Sequence, residues 1–331
     1  LARLPSVAAV GPGCVADPED LGQVSNLPRR GPGRAVSVAE KDLDAVTGLS
    51  LRLAEYKGYH GSQYEVSAVY GVKVRRPEHV VALLGSNGGG KSLITGQIAL
   101  GLIKQKQKIC IQSFEMKPKR TLYRMLRQFA GENIEFPKFM SKEKYMGRLM
   151  DRFHQFAGNR LWLYDQQGTV TTQQVIAVSR YCAMELGVGH VFIDSLMKCV
   201  PGEDDYNAQK MFVDEITAVA RDHNIHIHLI HHIRKLQNEE LQPNKNDIKG
   251  TGAIADQVDN VLLMWRNKKK EHEAQQGKTV DIRTPDAMLM CEKQRNGEAE
   301  EWYHLWYHKD SQQFVENHDS VPMAFDAGGH F

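Results

Sequence analysis

From His79 onward the chain alternates two patterns, short apolar runs and stretches in which apolar residues recur every three or four positions. The runs are His79–Leu84, Lys108–Phe114, Leu161–Tyr164, His190–Ile193, Ile225–Ile230, Asn260–Trp265, Ala287–Cys291 and Trp302–Tyr307, each of strand length. The helical stretches between them are Ser92–Gln105, Pro118–Ala130, Lys142–Phe156, Thr172–Leu186 and Tyr206–His223. In Lys142–Phe156, Tyr145, Leu149 and Phe153 are spaced by four and so share one helix face. Strands that are apolar throughout need cover on both sides. Repeated βα units of this kind therefore predict an α/β fold with a mostly parallel central sheet flanked by helices. No internal repeat is visible.

The flanks read differently. Residues 1–36 are rich in Ala, Gly, Pro and Val, and the first aromatic is Tyr56. Too little apolar bulk is present to offset chain entropy, so this low-complexity N-terminal segment reads as a tail or linker. It lacks the basic start and apolar core of a signal peptide. The chain begins at Leu1, as a piece of a longer product would. Residues 37–77 read as a linker helix (Ala39, Leu43, Val46) and entry segment, 78–318 as the main α/β domain, and 319–331 as a C-terminal tail.

Composition narrows the function classes. The chain of 331 residues is 41% hydrophobic and 25% charged, which excludes global disorder and fibrous repeats. No run approaches the ~18 apolar residues that span a bilayer, so no membrane association is expected. Five dispersed cysteines, an odd number without a C-x-x-C pair, argue against a disulfide scaffold or structural zinc and favour an intracellular setting. With 42 Lys+Arg against 40 Asp+Glu, the net charge of +2 excludes a coat of nucleic-acid-binding charge. The balance hides a segregation. Eight basic residues lie between Gly101 and Ala130 against Glu115 alone, while the tail from Asn296 carries seven acids. A charge run is most simply a solvated face.

The strongest chemical signal is Gly85-Ser86-Asn87-Gly88-Gly89-Gly90-Lys91-Ser92, a G-x-x-x-x-G-K-[ST] loop between a strand and a helix. Its glycines let backbone N–H groups close around the phosphates of ATP or another NTP. Lys91 supplies a compact positive charge to the same oxygens, and Ser92 a hydroxyl ligand for Mg²⁺. Such an enzyme needs a second acid for the metal and a base for the attacking water. His190–Asp194 is an apolar strand ending in a carboxylate, so Asp194 is the expected second Mg²⁺ ligand. Glu115, after the strand that follows the loop's helix, is the expected water-orienting base.

His226, His228, His231 and His232 form a cluster with strand spacing. His226 and His228 share a face, and the last two are expected beyond the strand end at Ile230. No Cys or carboxylate group completes a metal site there.

These residues together resemble the RecA-like motor domain of ring-shaped replicative helicases: DnaB, the phage primase–helicases and mitochondrial Twinkle. The likeness runs from about Glu78 to Val315. It is carried by Ser113-Phe114-Glu115-Met116, by Lys249-Gly250-Thr251-Gly252-Ala253, and above all by Lys293-Gln294-Arg295-Asn296-Gly297. It implies a RecA-like P-loop NTPase whose Lys293 and Arg295 reach the γ-phosphate bound by the neighbouring subunit. Alternating by two on a strand end, both project the same way. His232 matches the family's polar sensor of the γ-phosphate. The polar loop Ile233–Ile248 would line a pore and hold single-stranded DNA, with Arg234, Lys235, Lys245 and Lys249 as phosphate contacts. Arg266 is expected near the nucleotide base.

Two departures bear on DNA coupling. Ser195-Leu196-Met197 follows Asp194 where the family often has an aromatic or polar residue and then Leu-Gln, and Ala253-Ile254-Ala255-Asp256 lacks the arginine of some phage enzymes. The resemblance implies an ATP-driven motor assembled as a homo-oligomer, a hexameric ring. It would translocate on single-stranded DNA and unwind duplex, with a primase or loader as partner. The alternative is a RecA- or KaiC-like ATPase that assembles without unwinding.

Overall fold

The computed structural model describes residues 7–9, 79–136, 141–202, 204–235, 240–250, 252–295 and 301–325. The expected linker helix, the tail apart from 7–9, residues 326–331, and Glu239, Thr251, Asn296 and Gly297 lie outside the described residues.

The strands are β1 (Val7–Ala9), β2 (Val80–Gly85), β3 (Ile109–Ser113), β4 (Leu161–Tyr164), β5 (His190–Asp194), β6 (His226–His232), β7 (Asn260–Arg266), β8 (Ala287–Gln294), β9 (Trp302–His308) and β10 (Gln313–Val315). The helices are α1 (Lys91–Lys104), α2 (Pro118–Ala130), α3 (Lys142–Ala157), α4 (Thr172–Met184), α5 (Tyr206–His223), α6 (Ala253–Gln257) and α7 (Lys268–Gln275). All strands join one sheet in the order β1-β4-β3-β5-β6-β2-β7-β8-β9-β10. From β4 to β7 every neighbouring pair is parallel. Pairing is antiparallel from β7 through β10 and between β1 and β4.

Alternation along β2 shows why the fully apolar runs belong at the centre. Val81 and Leu83 point into a core beneath α1, α2 and α3. Val80, Ala82 and Leu84 point into a second core built with α4, α5 and α6. A strand loaded on both faces contributes to both layers, at roughly 1.5–3 kcal/mol for each large apolar side chain buried.

Helix ends follow their capping residues. Pro118 opens α2 and Gly131 closes it in the left-handed region. Thr171 and Gln174 form a capping box on α4, and Asp205 caps α5 by accepting from the Ala208 amide. Helix α1 departs from this rule, because its N-cap is Gly90 and no side chain caps it. Its first amides are left to face whatever occupies the loop.

Four elements were not expected: β1, within the segment read as a tail or linker; α6 and β10, too short to show a period although Ile254, Phe314 and Val315 are buried; and α7, whose residues are all partly or fully exposed. One expectation is corrected. Strand β6 continues through His231 and His232, because β2 keeps pairing with it up to Gly85 opposite His232. Among the described residues, no helix is long and apolar enough to cross a membrane.

Parallel strands bring their C-terminal ends to one edge of the sheet. Gly85, Glu115, Asp194, His232 and Arg266 all lie at or just beyond those ends, where open α/β sheets bind ligands.

Candidate active site

A cleft of about 1240 Å³ opens at this edge, lined by the glycine loop, Glu115, Arg124, Asp194, His232 and Arg266. The loop turns tightly, with the Gly89 amide on the Ser86 carbonyl at 3.1 Å. Gly90 enters the helix at φ 94°, and a Cβ there would stand 3.1 Å from the Phe314 ring. Both the dihedral and the close approach call for glycine. Lys91 is buried and donates to the carbonyls of Gly85 (2.7 Å) and Ser86 (2.8 Å), and to His232 Nδ1 at 3.2 Å. Burial lowers its pKa to about 8, against the pull of Asp194 and Glu115.

Two carboxylates share the cleft in different settings. Ser92 Oγ donates to Asp194 Oδ2 at 3.3 Å. Burial, and then the charge of Glu115, raise the pKa of Asp194 to about 6. Glu115 Oε1 accepts from Ser195 Oγ at 2.7 Å and from His232 Nε2 at 3.3 Å. The His232 hydrogen bond, aided by Ser195, holds its pKa down to about 2 despite burial. Because Lys91 can only donate to Nδ1, the proton of neutral His232 sits on Nε2, where Glu115 accepts it. One acid is thus fixed as a carboxylate, while the other depends on a nearby cation to stay ionised.

The loop after β6 closes on itself at its base. Ile233 bridges Ile248, the Lys249 amide donates to the His232 carbonyl at 3.0 Å, and His231 Nε2 meets the Lys249 carbonyl at 2.5 Å. Gly250 follows at φ +93°, where a Cβ would collide with Gln209 Oε1 at 2.2 Å. Arg234, Lys235 and Lys249 line the nucleotide cleft. The Arg234 guanidinium pairs with Asp247 at 3.0 Å. Lys245 lies away from that cleft and is held at Glu292, its amide on Oε2 (3.2 Å) and its Nζ on the carbonyl (3.3 Å). Arg266 rests on the glycine loop through the Gly88 carbonyl at 3.2 Å and pairs with Glu271.

A model of the DnaB-like helicase C-terminal domain matches residues 73–316. The chain belongs to the DnaB-like helicase C-terminal domain family. Among solved structures, an ATPase domain aligns at TM-score 0.59 and 14% identity, over 73% of this chain and 85% of that one. A DnaB-like replicative helicase, described with its interactions with primase, aligns at 0.57 and 14%, over 72% of this chain and 57% of that one. These likenesses show a shared RecA-like fold. A search of curated proteins finds no match.

As a DnaB-like helicase domain the chain is an NTP-hydrolysing helicase enzyme, and its expected site residues fall into two groups. The glycine loop, Lys91, Ser92, Glu115, Asp194, His232 and Arg266 meet in the cleft. Lys293 and Arg295 lie outside it, at the C-terminal end of α6. Two residues escaped the sequence reading, Ser195, buried against Glu115, and Arg124, which lines the cleft. Ser195 had no motif to mark it. Arg124 was one of eight charges in the basic run, yet it is half-buried beside Asp194, and burial lowers its pKa. Nor is that run one solvated face. Lys108 donates to the Leu186 carbonyl at 2.8 Å, and Arg127 holds the carbonyls of Lys309 and Asp310.

Proposed function

We propose that the chain is the ATP-driven motor of a replicative helicase, a hexameric ring that moves along single-stranded DNA and unwinds duplex. The observation that carries this reading is the continuous set of contacts Lys91–His232–Glu115–Ser195 beside the Ser92–Asp194 pair. Ser92 and Asp194 present hard oxygens suited to Mg²⁺, which needs only one or two protein ligands when phosphates supply others. When bound, Mg²⁺ neutralises charge on the β- and γ-oxygens.

The protein's own residues have separable tasks. Lys91 exchanges its loop carbonyls for phosphate oxygens. Glu115, kept ionised and aimed by two donors, orients the attacking water. His232 stands between Lys91 and Glu115, so a γ-phosphate entering there competes for its hydrogen bonds. The Lys249 amide on the His232 carbonyl ties that event to the loop proposed to hold DNA. Arg295, reached by no nucleotide in its own cleft, serves the neighbouring subunit, where such a finger is worth ~10³–10⁵ in rate. A primase or loader as partner, and an intracellular location, belong to the same proposal.

A second reading, an assembling ATPase that does not unwind, is favoured by the pairing of Arg234 with Asp247 and the anchoring of Lys245 at Glu292. Both contacts reduce the charge available to a DNA backbone. Sizing with ATP and Mg²⁺, ATPase assays with single-stranded DNA, and forked-duplex unwinding decide between them. Stimulated hydrolysis without unwinding supports the second reading, and failure to assemble counts against both.

A further inference from the structure

Strand β7 ends at Arg266, and the chain then forms α7 before it returns along β8. A helix of eight residues is marginal by itself, and α7 buries none of its residues, so apolar packing does not hold it in place. Polar contacts at its start do. Asn267, itself buried, caps α7 by accepting from the Lys270 amide at 3.0 Å, and its Nδ2 donates to the Pro285 carbonyl at 3.1 Å. The Asn267 amide donates to the Asp286 carbonyl at 2.8 Å. Lys270 pairs with Asp286 Oδ1 at 2.7 Å, and Oδ2 of that carboxylate accepts from the Tyr307 amide of β9 at 2.8 Å. The first turn of α7 is thereby pinned to the start of β8 and to β9.

From that turn Glu271 reaches back to pair with Arg266. Arg266 donates to it from Nε, while Nη1 donates to the Gly88 carbonyl of the glycine loop at 3.2 Å. Hydrogen bonds to a guanidinium lie in its plane, so two of them on the rim fix the plane and leave its faces to other partners. Arg266 and Gly88 line the nucleotide cleft, and Glu271 does not. The Arg266 side chain is 47% exposed, and a pair so exposed adds little to fold stability. What it adds is direction. A planar cation is held in one orientation beside the phosphate loop, and a guanidinium face stacks well on a nucleobase.

We propose that Glu271 is a positioning residue for Arg266: it fixes the guanidinium so that a face, rather than the N–H rim, meets the base of the bound nucleotide. This rests on Arg266 as the base contact and adds the residue that orients it. Because every base has a π-face, the arrangement strengthens binding without choosing among bases.

The test titrates the full-length protein with ADP, UDP and inorganic pyrophosphate, none of which offers a γ-phosphate to hydrolyse. Glu271→Ala is expected to weaken ADP and UDP alike, by about three- to tenfold, and pyrophosphate by less than about twofold. Arg266→Ala should do the same. Adding Glu271→Ala to Arg266→Ala should weaken ADP less than about twofold further, because nothing is left to orient. Hydrogen exchange across α7 should match the parent in Glu271→Ala, since the pinned first turn does not depend on Glu271. A loss confined to ADP would mean that Glu271 accepts from the exocyclic amine itself, and an equal loss with pyrophosphate that it acts at the phosphates. Either result overturns the proposal, as does faster exchange across α7, or ADP affinity unchanged in Glu271→Ala while Arg266→Ala weakens it. If Arg266→Ala leaves ADP affinity intact, the base reading of Arg266 fails first, and the proposal falls with it.

Discussion

His232 and Glu115 share a hydrogen bond of 3.3 Å, and the other imidazole nitrogen lies 3.2 Å from Lys91 Nζ. One side chain on β6 therefore touches both the phosphate-binding cation and the carboxylate proposed as base. The residues come from three separate strand ends, which the parallel sheet brings to one edge.

If Glu115 orients the water, Glu115→Gln keeps its shape and its contact with Ser195 while removing the negative charge. Steady-state kcat is expected to fall about 10²–10⁴-fold, the usual worth of a positioned general base. Nucleotide affinity by equilibrium titration should stay within a few-fold. A variant hydrolysing at the parental rate would remove Glu115 from the mechanism.

The His232 hydrogen bond is the largest cause of the low pKa of Glu115, about 2. Glu115 works as the anion, so lowering the pH inactivates it only near that value. In His232→Ala the lowering contact is gone while burial still raises the pKa. Because Asp194, at about 6, sets the acid limb of the rate, the Glu115 carboxyl is followed directly by carboxyl-carbon NMR titration: it should titrate at higher pH in His232→Ala, with His232→Gln shifting it less. The same Glu115 titration in all three proteins would show that the imidazole does not hold the carboxylate's charge.

Much of this was legible from residues alone, for a physical reason. The glycine loop, Asp194 and Glu115 each sit where an apolar strand stops, and a run of buried side chains is visible in a linear pattern. Helix bounds such as Pro118–Ala130 followed from Pro118 and Gly131, which act locally. The bulge at Glu292, where Cys291 pairs with Leu262 but Lys293 with Val261, was not legible. It depends on the register between β7 and β8, a relation between segments about thirty residues apart. Ser195 and Arg124 were missed for the same reason, since their meaning lies in the neighbours they meet across the sheet.

Far from the nucleotide edge, His190, His226 and His228 are fully buried with their rings within 5.4 Å of one another. His228 also stacks on Phe192 at 4.0 Å. Burial lowers all three pKa values, that of His190 to about 3. In the unfolded chain each titrates near 6.5, so above that pH both states are neutral and stability is at its full value. As the pH falls from about 6.5 toward the folded values, only the unfolded chain takes up protons, and stability is lost at about 1.4 kcal/mol per pH unit for each histidine. Urea unfolding at pH 7.5, 6.5 and 5.5 should show that slope. Neither ring nitrogen of His226 has a hydrogen-bond partner among the described residues, so His226→Leu should reduce the slope by about one proton without forfeiting a hydrogen bond. An unchanged slope would mean that His226 is already protonated in the fold.

The separation of Arg295 from its own cleft leads to the sharpest test of assembly. Lys91→Ala subunits lack the phosphate lysine but keep Arg295, and Arg295→Ala subunits have the reverse defect. Neither forms an intact interface alone. In a random equimolar ring, about one interface in four joins an intact Lys91 cleft to an intact Arg295. Mixtures should therefore recover ATPase activity that both parent rings lack, peaking near equal proportions. Subunit exchange, followed by fluorescence transfer between labelled chains, establishes that mixing has occurred. Mixed rings with no recovered activity would mean that Arg295 acts within its own chain, through its contacts with Asp259 and the end of α6, and that each cleft is complete without its neighbour.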